Sequence, residues 1–337
     1  MMTAPKDFND RMLSLGLARV SEAAAHASAR LIGRGDEKAA DQAAVNAMRE
    51  QLNMLDIKGV VVIGEGEKDE APMLFNGEQV GDGSGAAVDV AVDPIDGTRL
   101  TAMGYNNALS VFAVAERGTM FDPSAVFYMD KLGVGPEAAD FVDMRLPVKQ
   151  NVNLVAKALD KPVSQVTVCV LDRPRHEGLV KEIRQAGARV KFILDGDVAG
   201  AIAAARPDTG VDMMMGIGGT PEGIITACAM RCMGGEIQGK LWPKDEEEAE
   251  KARAAGHDLD RVLKTTDLVS SENCYFAATG VTNGDMLRGV SYRNSGATTR
   301  SLVMRSKSGT IRYIDSIHKL SKLQEYSVVD YTTPTKN

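Results

Sequence analysis

Histidine and cysteine are scarce in this chain, with four of each among 337 residues. Neither set has zinc-finger spacing and no Cys-x-x-Cys occurs, which argues against a structural zinc site. The one near pair, Cys228 and Cys232, lies four residues apart on a predicted helix, where small buried thiols are the favoured interpretation. So few cysteines in so long a chain also argue against a disulfide framework and favour a reducing compartment.

Basic residues are not in excess, and long apolar runs are missing. The chain carries 46 Asp and Glu against 39 Lys and Arg, a net charge of −7, which argues against a nucleic-acid groove or an anionic membrane as the main partner. No run approaches the ~20 apolar residues that span a bilayer, and the N-terminus lacks the apolar core of a signal peptide. We therefore expect a cytoplasmic protein without a nucleic-acid or membrane partner.

What the chain does contain is an ordinary globular composition, 44% hydrophobic and 25% charged, at a length typical of two domains. Residues 10–32 and 38–55 are predicted helices. Predicted strands follow at 59–63, 87–92, 108–115 and 125–132, and the last two are expected to pair antiparallel through a turn at Glu116-Arg117-Gly118. From about residue 160, strands and helices alternate, which predicts a largely parallel sheet. Residues 244–263 are a predicted charged surface helix. We place the domain boundary near residue 150, giving units 1–150 and 151–337.

Carboxylates follow the first two predicted strands directly. Glu65, Glu67 and Asp69 come after the first, and Asp93 and Asp96 after the second. Ligands bind beyond the carboxyl ends of strands in open sheets, and several carboxylates gathered without a cation would repel one another. Oxygen ligands without a nearby His or Cys favour Mg²⁺ or Mn²⁺ over zinc or copper.

The segment Asp93-Pro94-Ile95-Asp96-Gly97-Thr98 has the residues that a phosphate site needs. Pro94 fixes φ and favours a turn that lets the two aspartates converge. Gly97 permits close approach of the backbone to a ligand, and its N–H and that of Thr98 are candidates for cradling a phosphate. The Thr98 hydroxyl is placed to orient an attacking water. The alternative, a simple Asp-Pro turn followed by Asp-Gly, is weakened by the acidic loop beside it.

The second half supplies complementary groups at three predicted strand ends on one sheet edge. They are Asp172-Arg173-Pro174-Arg175-His176, Asp195-Gly196-Asp197, and Gly216-Ile217-Gly218-Gly219-Thr220-Pro221-Glu222-Gly223. Two arginines suit a phosphate, and two aspartates suit sugar hydroxyls. Glu222 is either a helix-dipole partner or a further metal ligand. Together these groups predict metal-assisted hydrolysis of a sugar phosphate ester.

With these motifs, from about residue 17 to 326, the chain resembles the class II bacterial fructose-1,6-bisphosphatases of the lithium-sensitive, metal-dependent sugar phosphatases. The motifs that carry the resemblance are Gly33-Arg34-Gly35-Asp36 with Asp41, Gly64-Glu65-Gly66-Glu67 with Asp69, the Asp-Pro-Ile-Asp-Gly-Thr hexad, Tyr128-Met129, Arg173-Pro174-Arg175-His176, Asp195-Gly196-Asp197 and Gly218-Gly219-Thr220-Pro221-Glu222-Gly223. The hexad alone marks only the superfamily, whereas the combination is much more specific.

The resemblance implies a fold, a reaction and a set of residue roles. The fold is α/β, a layered α/β/α/β/α sandwich with a mostly antiparallel N-terminal sheet and a parallel-sheet C-terminal lobe. The reaction is hydrolysis of the 1-phosphate of fructose 1,6-bisphosphate in gluconeogenesis, by a cytoplasmic homo-oligomer for which we favour a tetramer. The implied metal ligands are Asp41, Glu65, Asp93, Asp96 and Glu222. The implied catalytic residues are Thr98 and Asp69. The implied substrate-binding residues are Asp96, Gly97, Thr98, Tyr128, Arg173, Pro174, Arg175, Asp195, Gly196, Asp197 and Gly219.

Other functions stay open at this point. One alternative is a dual enzyme that also cleaves sedoheptulose 1,7-bisphosphate. Its sugar has one more carbon at the hydroxyl-binding end, and the residue types do not decide between the two sugars. An inositol monophosphatase is disfavoured by the paired arginines, because a monophosphate needs no clamp for a second phosphate. A non-catalytic sugar-phosphate sensor is disfavoured by the complete acid set together with Thr98.

Overall fold

A computed structural model describes residues 10–66, 73–293 and 296–325, with side chains from residue 13 onward. The chain folds into two compact units. Unit 1 runs to Gly118 and continues in Tyr275–Arg305 and from Thr310 onward, and unit 2 comprises Thr119–Cys274 with Ser306–Gly309. The sequence predicted one change of unit near residue 150, which falls inside unit 2, whereas the chain passes between the units mainly after residues 118 and 274.

The helices and strands of the described residues alternate along most of the chain. The helices are α1 (Asp10–Ala29), α2 (Glu37–Leu52), α3 (Thr98–Met103), α4 (Val148–Ala158), α5 (Glu177–Ala186), α6 (Asp197–Ala204), α7 (Thr220–Met233), α8 (Glu246–Ala254), α9 (Thr265–Leu268) and α10 (Leu320–Leu323), with 3₁₀ turns at Val163–Gln165 and Pro174–His176. The strands are β1 (Ile57–Ile63), β2 (Gln79–Val80), β3 (Ala86–Asp96), β4 (Leu109–Glu116), β5 (Tyr128–Val134), β6 (Thr167–Leu171), β7 (Arg189–Ile193), β8 (Met213–Gly219), β9 (Glu236–Leu241), β10 (Tyr275–Gly280), β11 (Ser291–Arg293), β12 (Gly296–Arg305) and β13 (Thr310–Lys319).

Unit 1 contains a mixed, mostly antiparallel sheet, as predicted. Its strand order is β2-β1-β3-β4-β10-β12-β11, with β13 also paired to β12. Only β1 and β3 run parallel. Helices α1 and α2 share one apolar core with the sheet, to which Val20, Met48, Val90, Phe112 and Tyr275 belong. Burial of each such side chain contributes about 1.5–3 kcal/mol.

Helix α2 shows why the local prediction succeeded. Its start is fixed by Asp36, whose side chain accepts a hydrogen bond from the Ala39 N–H at 2.9 Å, a standard N-cap. Val45, Met48 and Leu52, whose three-then-four spacing places them on one face of the helix, are buried. Asp41 lies four residues before Val45, on the same side of the helix as this stripe, and it is half-buried.

Unit 2 contains a five-stranded sheet in the order β7-β6-β8-β5-β9. Strands β7, β6 and β8 are parallel, as the alternation of strands and helices predicted. Strands β5 and β9 are antiparallel to their neighbours, so the sheet is mixed rather than wholly parallel. None of the helices in the described ranges is long and apolar enough to cross a bilayer.

Two element predictions were wrong. Strands β4 and β5 do not form a hairpin, because β4 pairs with β3 and β10 while β5 pairs with β8 and β9. The connection between them pairs elsewhere: the Phe121 N–H donates to the Leu268 carbonyl at 2.9 Å, and Met120 bridges to Val269. The charged helix α8 (Glu246–Ala254) is shorter than the predicted 244–263. It ends close to Gly256, whose left-handed φ of +88° does not continue a helix.

Candidate active site

The acidic loop after β1 is folded back on itself. The Glu65 N–H donates to the Leu74 carbonyl at 2.9 Å, and the Asn76 N–H donates to the Gly66 carbonyl at 3.1 Å. Gly64 is required here because a Cβ would collide with the Leu74 carbonyl. The loop thus presents the half-buried Glu65 at the end of a core strand. Glu67 and Asp69, predicted to lie in the same loop, are outside the described residues.

A buried carboxylate that the sequence did not single out holds this loop. Glu78, 6% exposed, accepts hydrogen bonds from the Leu74 N–H and, at 2.5 Å, from Arg49 on α2. One side chain therefore fixes the far end of the loop to the neighbouring helix. A lone Glu before a two-residue strand gives no sequence signal of this role.

The hexad lies on a strand rather than in a turn. We predicted that the second strand ends at Val92, but β3 continues to Asp96, and the register against β4 shifts between Asp93 and Asp96. Asp93 is opposite Val111 and Asp96 is opposite Leu109. One extra residue on the β3 side is a β-bulge. Because positions 109 and 111 lie on the same face of β4, the bulge brings Asp93 and Asp96 to one face, where regular alternation would have separated them.

Strand β3 passes directly into α3 through Gly97, whose φ is +95°. This left-handed conformation favours glycine. Thr98 is the first residue of the helix, and its hydroxyl donates to the Ile95 carbonyl at 3.2 Å. Thr98 is half-buried and Asp96 is 3% exposed. Asp96 and Gly97 are thus buried at the junction of β3 and α3, with Asp93 and Thr98 half-buried on either side of them.

Asp41 on α2 is a carboxylate held against apolar surroundings. Burial raises its pKa above the ordinary aspartate value, because a partly desolvated carboxylate is less stable as an anion. Among the described residues no three His, Cys, Asp or Glu side chains are grouped as a ready-made metal site. Whether Asp41, Glu65, Asp93, Asp96 and Glu222 act together as ligands stays a prediction.

The strand-end motifs of unit 2 do lie on one edge of its sheet. The parallel strands β6, β7 and β8 end at Leu171, Ile193 and Gly219, so the residues after β6 and β7 and the last residues of β8 share that edge. Gly216 to Gly219 were predicted to follow the third strand of this edge, but they form the last four residues of β8.

Arg173 and Asp195 meet at this edge. The Arg173 guanidinium is 3.2 Å from an Asp195 carboxylate oxygen and donates to the Leu194 carbonyl at 2.6 Å. Pro174 begins the 3₁₀ turn that follows Arg173. Gly196 adopts a left-handed φ of +78° and places Asp197 at the first position of α6.

Arg175 lies near Tyr128 and the end of β8. Its guanidinium donates to the Ile217 carbonyl at 2.7 Å and sits over the Tyr128 ring, 5.2 Å from the centroid. Tyr128 is opposite Gly219 in the β5–β8 register. The structure therefore brings Tyr128, Arg175 and Gly219 together, as the substrate-site prediction requires.

His176 proves to be a structural bridge between strands. Its buried ring accepts from the Ile217 N–H at Nε2 (2.8 Å) and lies 2.7 Å from the Leu171 carbonyl at Nδ1. This arrangement assigns the proton to Nδ1. Burial lowers the pKa of His176, which favours the neutral imidazole that the two contacts need. The ring ties β6 to β8 beneath the two arginines.

Glu222 lies in the first turn of α7, after the Thr220-Pro221 start. Its Oε2 atom is buried and has no hydrogen-bond partner among the described residues. Burial, and then the nearby Asp197 carboxylate, raise the pKa of Glu222. A buried carboxyl oxygen without a partner is costly, and it is the kind of group that a bound cation would satisfy.

A buried lysine beneath this edge was missed by the sequence analysis. Lys131 in β5 is 1% exposed, pairs with Asp197 at 2.5 Å and donates to the Gly219 carbonyl at 2.9 Å. Strand alternation gave no signal of it, because a lysine beside an aspartate in a strand is typical of a solvated face.

Comparison with known proteins gives one consistent family. A family model described as "Bacterial fructose-1,6-bisphosphatase, glpX-encoded" matches residues 11–318. The chain is 47% identical over 325 residues to fructose-1,6-bisphosphatase 1 class 2 of Escherichia coli (strain K12). The matched region covers 93% of this chain and 96% of the relative. The class 2 fructose-1,6-bisphosphatases of Escherichia coli O6:H1 and Shigella flexneri match with the same identity and coverage.

Proposed function

Because this chain belongs to the glpX-encoded bacterial fructose-1,6-bisphosphatases, we propose that it hydrolyses the 1-phosphate of fructose 1,6-bisphosphate to fructose 6-phosphate and phosphate. The observation that carries the substrate is the 47% identity to class 2 fructose-1,6-bisphosphatases over 93% of the chain. The geometry of the two units supports the chemistry. Unit 1 offers paired aspartates beside Thr98, and unit 2 offers arginines and aspartates at one sheet edge.

We propose that Asp41, Glu65, Asp93, Asp96 and Glu222 hold Mg²⁺ or Mn²⁺. The donor set fits these ions, because it consists of carboxylate oxygens only. The partnerless Oε2 of Glu222 and the desolvated carboxyl of Asp41 support the same role. When bound, such a cation neutralises phosphate charge and lowers the pKa of water.

Thr98 is proposed to orient the water that attacks the 1-phosphate. Its hydroxyl donates to the Ile95 carbonyl, which leaves the oxygen lone pairs to accept a hydrogen bond from water. Gly97 allows the backbone to approach the phosphate without a side chain in the way. Asp69 is proposed to be required for turnover.

The sugar and its 6-phosphate are assigned to the unit 2 edge. Arg173 and Arg175, on either side of Pro174, suit the 6-phosphate through charge-assisted hydrogen bonds. Asp195 and Asp197, on either side of Gly196, accept from the sugar hydroxyls, with Tyr128 and Gly219 completing the wall. We further propose that the enzyme is a cytoplasmic homotetramer acting in gluconeogenesis.

Phosphate release from fructose 1,6-bisphosphate with and without Mg²⁺ or Mn²⁺ tests the proposal. We expect release only with the metal, and the same preparation assayed with sedoheptulose 1,7-bisphosphate defines the sugar range. Binding of fructose 1,6-bisphosphate without phosphate release under every metal condition would instead identify a sensor. Release from inositol 1-phosphate at a higher rate would identify a different phosphatase.

A further inference from the structure

Lys131 is the one described lysine that is almost wholly buried. Its ammonium nitrogen pairs with Asp197 Oδ2 at 2.5 Å and donates to the Gly219 carbonyl at 2.9 Å. The two partners come from different segments, since Asp197 begins α6 after β7 and Gly219 ends β8. One side chain therefore fixes the relative position of two groups that the proposed function places on the substrate.

Glycines make the space that this lysine needs. A Cβ at Gly218 would collide with the Asp197 carboxylate and would lie 2.8 Å from the Lys131 nitrogen. A Cβ at Gly223 would lie 3.4 Å from Lys131 Cδ. Two glycines of the Gly-Gly-Thr-Pro-Glu-Gly motif therefore border the buried lysine. The small size of Gly218 makes room for the ion pair, in addition to any contact with a ligand.

A buried ion pair of this kind is poorly explained by stability alone. Desolvation of two charges opposes their attraction, and apolar replacements of similar volume often leave a fold equally stable. Asp197 also keeps its second oxygen, Oδ1, buried and without a hydrogen-bond partner in the described ranges. The pair thus holds one carboxylate oxygen with Lys131 and leaves the other for a further donor, such as a sugar hydroxyl.

We propose that Lys131 is a positioning residue for sugar recognition, which orients the Asp197 carboxylate toward the substrate and uses the Gly219 carbonyl as its second anchor. The inference rests on the proposed function. Lys131 does not touch the substrate itself and acts through Asp197. Its removal therefore weakens ground-state binding more than the chemical step, so KM rises while kcat changes little.

A double-mutant cycle on KM for fructose 1,6-bisphosphate tests this role, with Lys131→Met, Asp197→Asn and the double variant. We expect each single variant to raise KM about tenfold, with kcat within about threefold of the wild type. The double variant should have nearly the KM of Asp197→Asn, because Lys131 has nothing left to orient. A wild-type KM in Lys131→Met, or single effects that multiply in the double variant, would overturn the proposal.

The control is Lys240→Met on the adjacent strand β9, where Lys240 pairs with Asp260 at 2.9 Å but is 43% exposed. Its KM should equal that of the wild type. If Lys131→Met does not fold, the double variant, which leaves no unpaired buried charge, is compared with Asp197→Asn alone. A further rise in KM then overturns the proposal and an equal KM supports it. Wild-type turnover is measured first, so that a wild type without turnover contradicts the proposed function and not the positioning geometry.

Discussion

Thr98 joins the strand that carries Asp93 and Asp96 to helix α3, and its hydroxyl is the group that we assign to the attacking water. Replacing it by Ala removes one hydrogen bond to the Ile95 carbonyl, worth about 1 kcal/mol of stability. The loss in kcat should be far larger, about 10²–10⁴-fold, which is typical of a group that aids proton transfer in the transition state. Steady-state kinetics measure it, with Thr98→Ser as the control that keeps the hydroxyl. Wild-type turnover by Thr98→Ala would remove Thr98 from the mechanism.

His26 makes a separate prediction about acid stability. Burial, and then the neighbouring His318, lower the pKa of His26 to about 3, and the two rings meet edge to face at 4.6 Å between centroids. The folded state thus prefers neutral His26, whereas the unfolded chain binds a proton below about pH 6.5. The stabilisation is full above pH 6.5 and is lost as the pH falls from there toward 3. When the pH falls from 7.5 to 5.5, this one group should lower the free energy of unfolding by about 1.4 kcal/mol.

Urea unfolding at the two pH values measures that loss. His26→Gln lacks the titrating ring and should lose about 1.4 kcal/mol less than the wild type on acidification. His257→Gln, a histidine in unit 2, serves as the matched control and should follow the wild type. If His26→Gln and the wild type lose the same free energy of unfolding on acidification, His26 is not the source of the acid sensitivity.

Among the elements of unit 1, Glu78 holds the described end of the loop between β1 and β2 through the Leu74 N–H and Arg49. Glu78→Gln keeps the shape but weakens the contacts to Arg49 and the Leu74 N–H. If Glu65 is a metal ligand, as we propose, the loss of these outer contacts should raise the Mg²⁺ concentration for half-maximal activity about tenfold. Glu246→Gln breaks an exposed pair with Arg253 on α8 and should not change it. An unchanged Mg²⁺ requirement in Glu78→Gln would show that the loop does not position a ligand.

Elements built from local patterns were predictable, and those built from distant pairing were not. Helix α2 carries its own N-cap and apolar stripe, so its local sequence was sufficient to predict the helix. The bulge in β3 depends on pairing with β4, and the partners of β5 are strands that lie some 80–110 residues later in the chain. A short loop after β4 suggested a hairpin, but backbone pairing with residues 268–269 determined the actual connection.

Across the whole molecule, sequence patterns single out candidate site residues but not the side chains that support them. Acids and arginines at strand ends are visible because buried strands end in abrupt changes of polarity. Lys131 was not visible, because its partners Asp197 and Gly219, and Gly218 that makes room for the ion pair, lie in other segments of the chain. Sequence patterns predict which side of a helix or strand is buried. They do not predict a buried charge, because its partners come from other segments of the chain.

The last prediction concerns which substrate the whole enzyme prefers. If Arg173 and Arg175 hold the 6-phosphate, fructose 1,6-bisphosphate should have a kcat/KM about 10²-fold or more above that of fructose 1-phosphate, since each charge-assisted hydrogen bond is worth about 1.5–3 kcal/mol. Arg175→Ala should lower kcat/KM for the bisphosphate about 10–100-fold and leave that for the monophosphate nearly unchanged. Arg184→Ala, which removes an exposed guanidinium over the Phe192 ring, is the control and should preserve the preference. Equal losses on both substrates in Arg175→Ala would mean that Arg175 supports the fold near Ile217 and Tyr128 without reading the second phosphate.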